Sequence, residues 1–567
     1  MRIYLKKKVI ASLIVTVIVL LGTLIVVSTY IDDNGNNTVE RMDDTLNVNA
    51  GQHMNLNNNE DEIDINDYDY GDSPYANSEP KVNENKNKQN KDDDNQEVIY
   101  DEEAEEKESK IAFLNEKIKH LEEKLKENTE NNEKMSILMK NFAHRYLNTD
   151  IEYSDFIDLR DRTELHTYLW RKIYGDGPYT AATTNINDVV MNAESLTGDK
   201  KLLSILHKKL FPWLYSKFSS PSGLLRSFKG RGIVICTGSY HYRFAKSTID
   251  TLRNIIKTNL PIEIFYVGES DLSEAHRKDL ESYDHVFCTD VTKFFDNDII
   301  FIQGWAVKPF SILASRFEEV ILIDADATYI RDPALWFDDE EYQKTGALFF
   351  KDRTLYPGPH GGSAWLHEWM VDPSDYAKNS RFYNELSSHE MESSTVVINK
   401  SKRFLGILET CKFNERKIRD RVVYQHVFGD KETYWMAFDM AREPYSVIPH
   451  PIIYVGEINY GEDIDDPNQK QLCGHIGHTD RDGNIMFWND HIIKDKHDPK
   501  YDNQLLRFEG WFYEDLDNVE WTDTFHCANI KDDFPINEFT EEEKDIIKKI
   551  IDRELENKFV INAGTSY

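Results

Sequence analysis

Apolar positions are spread unevenly along the chain. Residues 9–31 run for 23 positions without a charge, and at about 1.5 Å rise per residue such a helix spans the roughly 30 Å hydrocarbon core of a bilayer. One membrane helix is predicted there. Arg2, Lys6, Lys7 and Lys8 precede it, and Asp32 and Asp33 follow. The positive-inside rule therefore puts residues 1–8 in the cytosol and the rest in a lumen, as a type II signal anchor. A cleaved signal peptide fits less well, because its apolar region is usually shorter. Residues 32–110 are rich in Asn, Asp, Glu and Lys, too polar to bury enough surface to offset chain entropy, and read as a disordered acidic stem. Within 111–145, Ile111, Leu114, Ile118, Leu121 and Leu125 alternate spacings of three and four. That pattern predicts a helical stem, either pairing as a coiled coil in a homodimer or hetero-complex, or docking on its own domain.

From residue 146 to 567 the pattern becomes that of a globular domain. GRGIVICTGSYHY, IEIFYVG, HVFCTDV, EVILIDADATYI and GALFF read as short apolar strands, with FAKSTIDTLRNIIKTN and KPFSILASRF as helices between them. Strands alternating with helices predict an α/β fold, a mostly parallel Rossmann-related sheet with helices on both faces, and ligands at the strand carboxyl ends. Charge narrows the partners. Lys and Arg number 67 against 101 Asp and Glu, a net −34, which repels phosphate backbones and argues against nucleic acid. Five cysteines without a C-x-x-C pair exclude a zinc ribbon and allow at most two intrachain disulfides.

The strongest chemical signal is ILIDADAT, an apolar strand running into Asp324 and Asp326. Strand alternation puts both carboxylates on one side, where they would share a hard divalent cation, Mn²⁺ or Mg²⁺. An ordinary strand-end turn is the bland alternative. A haloacid-dehalogenase-like phosphatase loop is another, with Asp324 as nucleophile and Asp326 as acid/base.

The segment from Gly230 to about Asn489 resembles the fungal Golgi α-1,3-mannosyltransferase family, type II anchored enzymes of the GT-A fold. The blocks that carry the likeness occur in order: GRGIVICTGSYHY, LPIEIFYVGESDL, WAVKPFSILASRFEEVILIDADATYIRDP, TGALFFKDR, HEMESSTVVINKSKRFLGIL, GDKETYWMAF and CGHIGHTDRDGNIMFWN. The companion α-1,2-mannosyltransferases share the layout but fit TGALFFKDR and ESSTVVINK less well. The resemblance implies retaining transfer of mannose from GDP-mannose to the 3-hydroxyl of an α-mannoside on a glycoprotein acceptor, at the Golgi membrane. It implies Asp324 and Asp326 as metal ligands, with His475, or failing it His478, from the Gly-flanked loop CGHIGH. Thr237, Gly238, Tyr242, Lys308 and Arg353 become donor contacts. Asp430, Glu392 and Glu432 become candidate catalytic carboxylates, and Trp435 a sugar platform or a core residue. Ser394 departs from the family pattern, which has a glycine there. A silent glycan-binding or scaffold protein on the same framework is a further alternative. Two sequons, at Asn36 and Asn399, are candidates for glycosylation.

Overall fold

A computed structural model describes residues 145–146, 148–180, 198–218, 220–460, 470–496, 504–522, 526–531 and 533–561. The expected anchor 9–31, the stem 32–110, residues 111–144 of the helical stem and Asn36 lie outside them. Among the described residues no helix is long and apolar enough to cross a membrane.

The strands, in chain order, are β1 (Arg231–Cys236), β2 (Ile262–Tyr266), β3 (Val286–Asp290), β4 (Glu319–Asp324), β5 (Thr328–Tyr329), β6 (Ala347–Lys351) and β7 (Met391–Asn399). They continue with β8 (Ser446–Val447), β9 (Ile453–Tyr460), β10 (Lys470–Thr479), β11 (Ile485–Trp488), β12 (Gly510–Tyr513), β13 (Val519–Trp521) and β14 (Cys527–Ile530). Among the described residues they form two seven-stranded sheets.

The first sheet has the order β3-β2-β1-β4-β7-β6-β8. Strands β3, β2, β1 and β4 are parallel, as the alternation with helices predicts, but β7 runs antiparallel to both β4 and β6. Side-chain parity explains why these strands read as continuous apolar runs. Val234, Val320, Leu322, Val396 and Ile398 enter one core with Phe310, Ile407 and Phe438 from the helices Val307–Ala314, Phe404–Phe413 and Lys431–Met440. Ile233, Ile235, Ile321, Ile323 and Val397 face the other way, against Ala245 and Ile249 of the helix Tyr242–Asp250. A sheet covered on both faces needs apolar residues at odd and even positions alike.

Two sequence expectations change. EVILIDADATYI is not one strand: β4 ends at Asp324, the chain turns through Ala325–Ala327, with Ala327 N–H donating to Asp324 C=O at 3.1 Å, and β5 joins the other sheet. CGHIGH is not a loop but lies inside β10. The short glycines gave it the look of a turn, yet β10 pairs with β9, β11 and β14.

The second sheet is antiparallel, ordered β12-β9-β10-β11-β5, with β14 on β10 and β13 on β14. Cys473 and Cys527, directly paired across β10 and β14, form a disulfide. The C-terminal helix Glu541–Asn557 starts with a Thr540/Glu543 capping box and packs toward the helix Tyr242–Asp250, where Ser247 Oγ donates to Glu554 at 2.9 Å and Arg553 pairs with Asp250.

Leu322 is fully buried in the central strand. Leu322→Ala is expected to lower stability by about 2–5 kcal/mol, the cost of lost burial plus a cavity, read as a drop in denaturation midpoint.

Candidate active site

The register Cys236↔Asp324 brings the carboxyl ends of β1 and β4 level. Thr237, Gly238 and Asp324 therefore leave the sheet side by side, at the crevice where open α/β sheets take ligands. The turn after Asp324 is held by its carbonyls: Thr248 Oγ1 donates to Ala325 O at 2.7 Å, and His491 N–H donates to Asp326 O at 2.6 Å. His491 Nε2 in turn contacts Ser247 Oγ at 2.9 Å.

With its backbone fixed, the turn presents each aspartate to a lysine of its own. Lys308, in the first turn of the helix Val307–Ala314, lies 2.8 Å from Asp324 and also donates to Ser393 O and Oγ, at 3.2 and 3.3 Å. Lys496 bonds to Asp326 and to Asp490. Burial alone would lower the Lys308 ammonium, but Asp324 and Asp430 override it and hold it above its ordinary value. Burial pushes Asp324 up to about 7 in spite of Lys308, and the neighbouring Asp326 charge acts in the same direction. Burial acts likewise on Asp326, yet Lys496 prevails and holds that carboxyl below its usual range.

Strand β7 adds the next layer. All nine of its residues are buried, yet its first half is Glu392-Ser393-Ser394-Thr395, a polar stretch where both faces are covered. Ser394 donates from its backbone N–H at 2.8 Å and its hydroxyl at 2.5 Å to Glu392, and so orients a candidate carboxylate. Asp430 stands 3.9 Å from Lys308 and accepts from Ser393 Oγ at 3.4 Å. It holds the position before the helix Lys431–Met440 without making a side-chain cap bond. Burial raises its pKa against Lys308.

Glu432 sits differently from Asp430 and Glu392. Its Oε1 accepts from Glu390 N–H at 2.9 Å and its Oε2 from the Trp435 indole at 2.6 Å, so it braces the start of β7, and burial pushes it up to about 7. Trp435 is core. His475 and His478, three residues apart on a strand, point to opposite faces. His475 Nε2–H donates to Ile493 O at 2.6 Å and its Nδ1 is 3.9 Å from Asp490, which joins it to Asp326 only through Lys496. His478 faces Glu392 at 3.6 Å.

The donor candidates divide too. A Cβ on Gly238 would lie 2.2 Å from Asp271 Oδ1, so the loop Val267–Asp271, anchored by Val267 N–H on Asp271, requires a glycine there. Tyr242 stacks one face on His276, centroids 3.8 Å apart, and bonds Asp279. Arg353 lies by Asp352, with its guanidinium 5.9 Å over the Trp521 ring of the second sheet. Asn399 is 6% exposed, and its carboxamide oxygen accepts from Ser401 Oγ and Lys402 N–H.

Among the described residues, no three His, Cys, Asp or Glu side chains converge closely enough to hold a metal ion alone. Two strand-end carboxylates with Glu392, Asp430 and Asp490 close by, against Lys308 and Lys496, make a buried to half-buried cluster richer in carboxylates than in lysines. That donor chemistry would fit a hard divalent cation held by one or two of the carboxylates. Lys496, Asp490, Ser393 and Thr248 escape sequence reading; only the polar half of an otherwise apolar strand hints at Ser393.

Residues 230–480 match the model of a family described as "Mannosyltransferase putative". The chain is 27% identical over 308 residues to "Putative alpha-1,3-mannosyltransferase MNN14" of Candida albicans, covering 48% of this chain and 44% of that protein. It is 24% identical over 353 residues to alpha-1,3-mannosyltransferase MNT2 of Saccharomyces cerevisiae, covering 54% and 60%. The matches thus span about half the length of these relatives. A solved mannosyltransferase, Ktr4p of S. cerevisiae, aligns at 12% identity over 49% of this chain and 81% of its own, with a TM-score of 0.25.

Two outcomes check this geometry. Glu432 has a folded pKa raised from 4.5 to about 7, so its contribution is present below pH 4.5 and is lost as pH rises toward 7. Glu432→Gln is therefore expected to gain roughly 3 kcal/mol relative to the native chain across that window, measured by denaturation at several pH values. Glycopeptide mass spectrometry is expected to find Asn399 unmodified.

Proposed function

We propose, from the match of residues 230–480 to this mannosyltransferase family model, that the chain is a retaining mannosyltransferase of GT-A type. In this reading it moves mannose from GDP-mannose to the 3-hydroxyl of an α-mannoside on protein-linked glycans. The observation that carries it is the buried meeting of Lys308 with Asp324 and Asp430 at the carboxyl edge of β4.

Asp324 and Asp326 would hold Mn²⁺ or Mg²⁺. Such an ion supplies Lewis-acid neutralisation of a diphosphate. Lys308 contributes a fixed positive charge next to the departing diphosphate, and its bonds to Ser393 keep it aimed when Asp324 is engaged elsewhere. Asp430 and Glu392 supply negative charge to meet the positive charge that develops on the sugar as the donor bond breaks. Ser394 keeps Glu392 in one orientation while this happens. Both donor and product bonds are α in this reading, so a base-assisted inversion is not required. The predicted anchor and stem would carry the domain in the Golgi lumen.

The test is product formation by the full chain with GDP-mannose, Mn²⁺ and α-mannobiose, with the linkage read by NMR. An α-1,3 product is expected, and Asp326→Ala should lower turnover by roughly 100-fold or more. Normal turnover in that variant would sink the metal role, an α-1,2 product would overturn the linkage, and no product with any sugar nucleotide would overturn the transferase reading.

A further inference from the structure

Trp305 is 50% exposed, Phe428 61% and Tyr356 60%, unusual exposure for three large rings. They are not scattered. Trp305 and Phe428 have centroids 5.3 Å apart, Phe428 and His389 6.1 Å, and His389 and Tyr356 6.5 Å. The rings touch in series, and the series adjoins the candidate active site: Trp305 lies three residues before Lys308, Phe428 two residues before Asp430, and Lys308 is 3.9 Å from Asp430.

The arrangement is built. Gly429 has φ +67°, and a Cβ there would come to 3.0 Å from the Trp305 indole. A glycine lets the chain turn between Phe428 and Asp430 while touching the tryptophan face. Tyr424 supports Trp305 at 6.5 Å, and its hydroxyl is tied to Asn414 at 2.7 Å. The Lys431 ammonium lies 5.3 Å over the Phe428 ring and pairs with Asp352.

We infer that this series of rings is an acceptor platform, on which successive sugar units of an oligomannoside stack while the terminal unit reaches Asp430. The sugar identity rests on the function proposed above; the platform rests on ring exposure and spacing. A pyranose presents an apolar C–H face and an equatorial rim of hydroxyls. Exposed aromatic rings offer stacking faces to such C–H faces. The platform lies outside the buried carboxylate cluster, so it governs which acceptors bind and how long they are rather than the bond-breaking step.

The test is calorimetric titration of the full chain with α-mannotriose and with methyl α-mannoside. The native chain is expected to bind the trisaccharide more tightly than the monosaccharide. Trp305→Ala and Phe428→Ala are each expected to raise the trisaccharide Kd by roughly tenfold, and Phe428→Tyr to keep it within about twofold. An unchanged melting temperature shows that the variants fold. Trisaccharide affinity unaltered in both alanine variants overturns the platform, as does a native chain that does not bind the trisaccharide at millimolar concentration. Binding through these rings without any product would sink the transferase reading and leave the platform standing. Product formation with unaffected alanine variants would do the reverse.

Discussion

Taking two carboxylates out of water two residues apart costs several kcal/mol for each unless a counter-charge meets it. In this chain the counter-charges arrive from opposite directions. Lys308 comes from the helix ahead of β4, and Lys496 from the segment after β11. The turn that separates the aspartates is also the passage from one sheet to the other, so Lys308 meets Asp324 from the first sheet's side while Lys496 meets Asp326 from the segment after β11. Its carbonyls are pinned by Thr248 and His491, and through Ser247 and Glu554 the C-terminal helix reaches the same turn. Helix, turn and second sheet are therefore coupled around one short stretch of backbone.

Strand β7 shows how the fold spends a buried position on chemistry. Its second half, Val396, Val397 and Ile398, packs both faces of the sheet. Its first half holds Glu392 and Ser393, whose desolvation is offset through Ser394, His478, Lys308 and Asp430. Polar residues on a strand covered on both faces are expensive, and here they line up with the carboxyl ends of β1 and β4.

Much of the first sheet is legible in the sequence because β1 to β4 and β6 are short apolar runs bounded by turns. The place of β7 is not, since periodicity gives neither direction nor order. The second sheet escapes as well: β10 carries Gly474 and Gly477, which read as a loop, and strand pairing overrides that local preference. Asp324, Asp326 and Lys308 are recognisable because a strand end and a helix start fix where they emerge. Lys496 is not, because in KDKHD it resembles any solvated charge, and only the tertiary fold brings it to Asp326. The pairing of Cys473 with Cys527 depends on sheet register in the same way.

The central claim is that the turn after β4 offers Asp324 and Asp326 jointly to a cation that a nucleoside diphosphate shares. Titration of the full chain with GDP, in Mn²⁺ and then in chelator, tests it most directly. The account predicts binding in Mn²⁺ that disappears with chelator and in the Asp324→Asn, Asp326→Asn double variant. Equal affinity for GDP with chelator, or in the double variant, would contradict it.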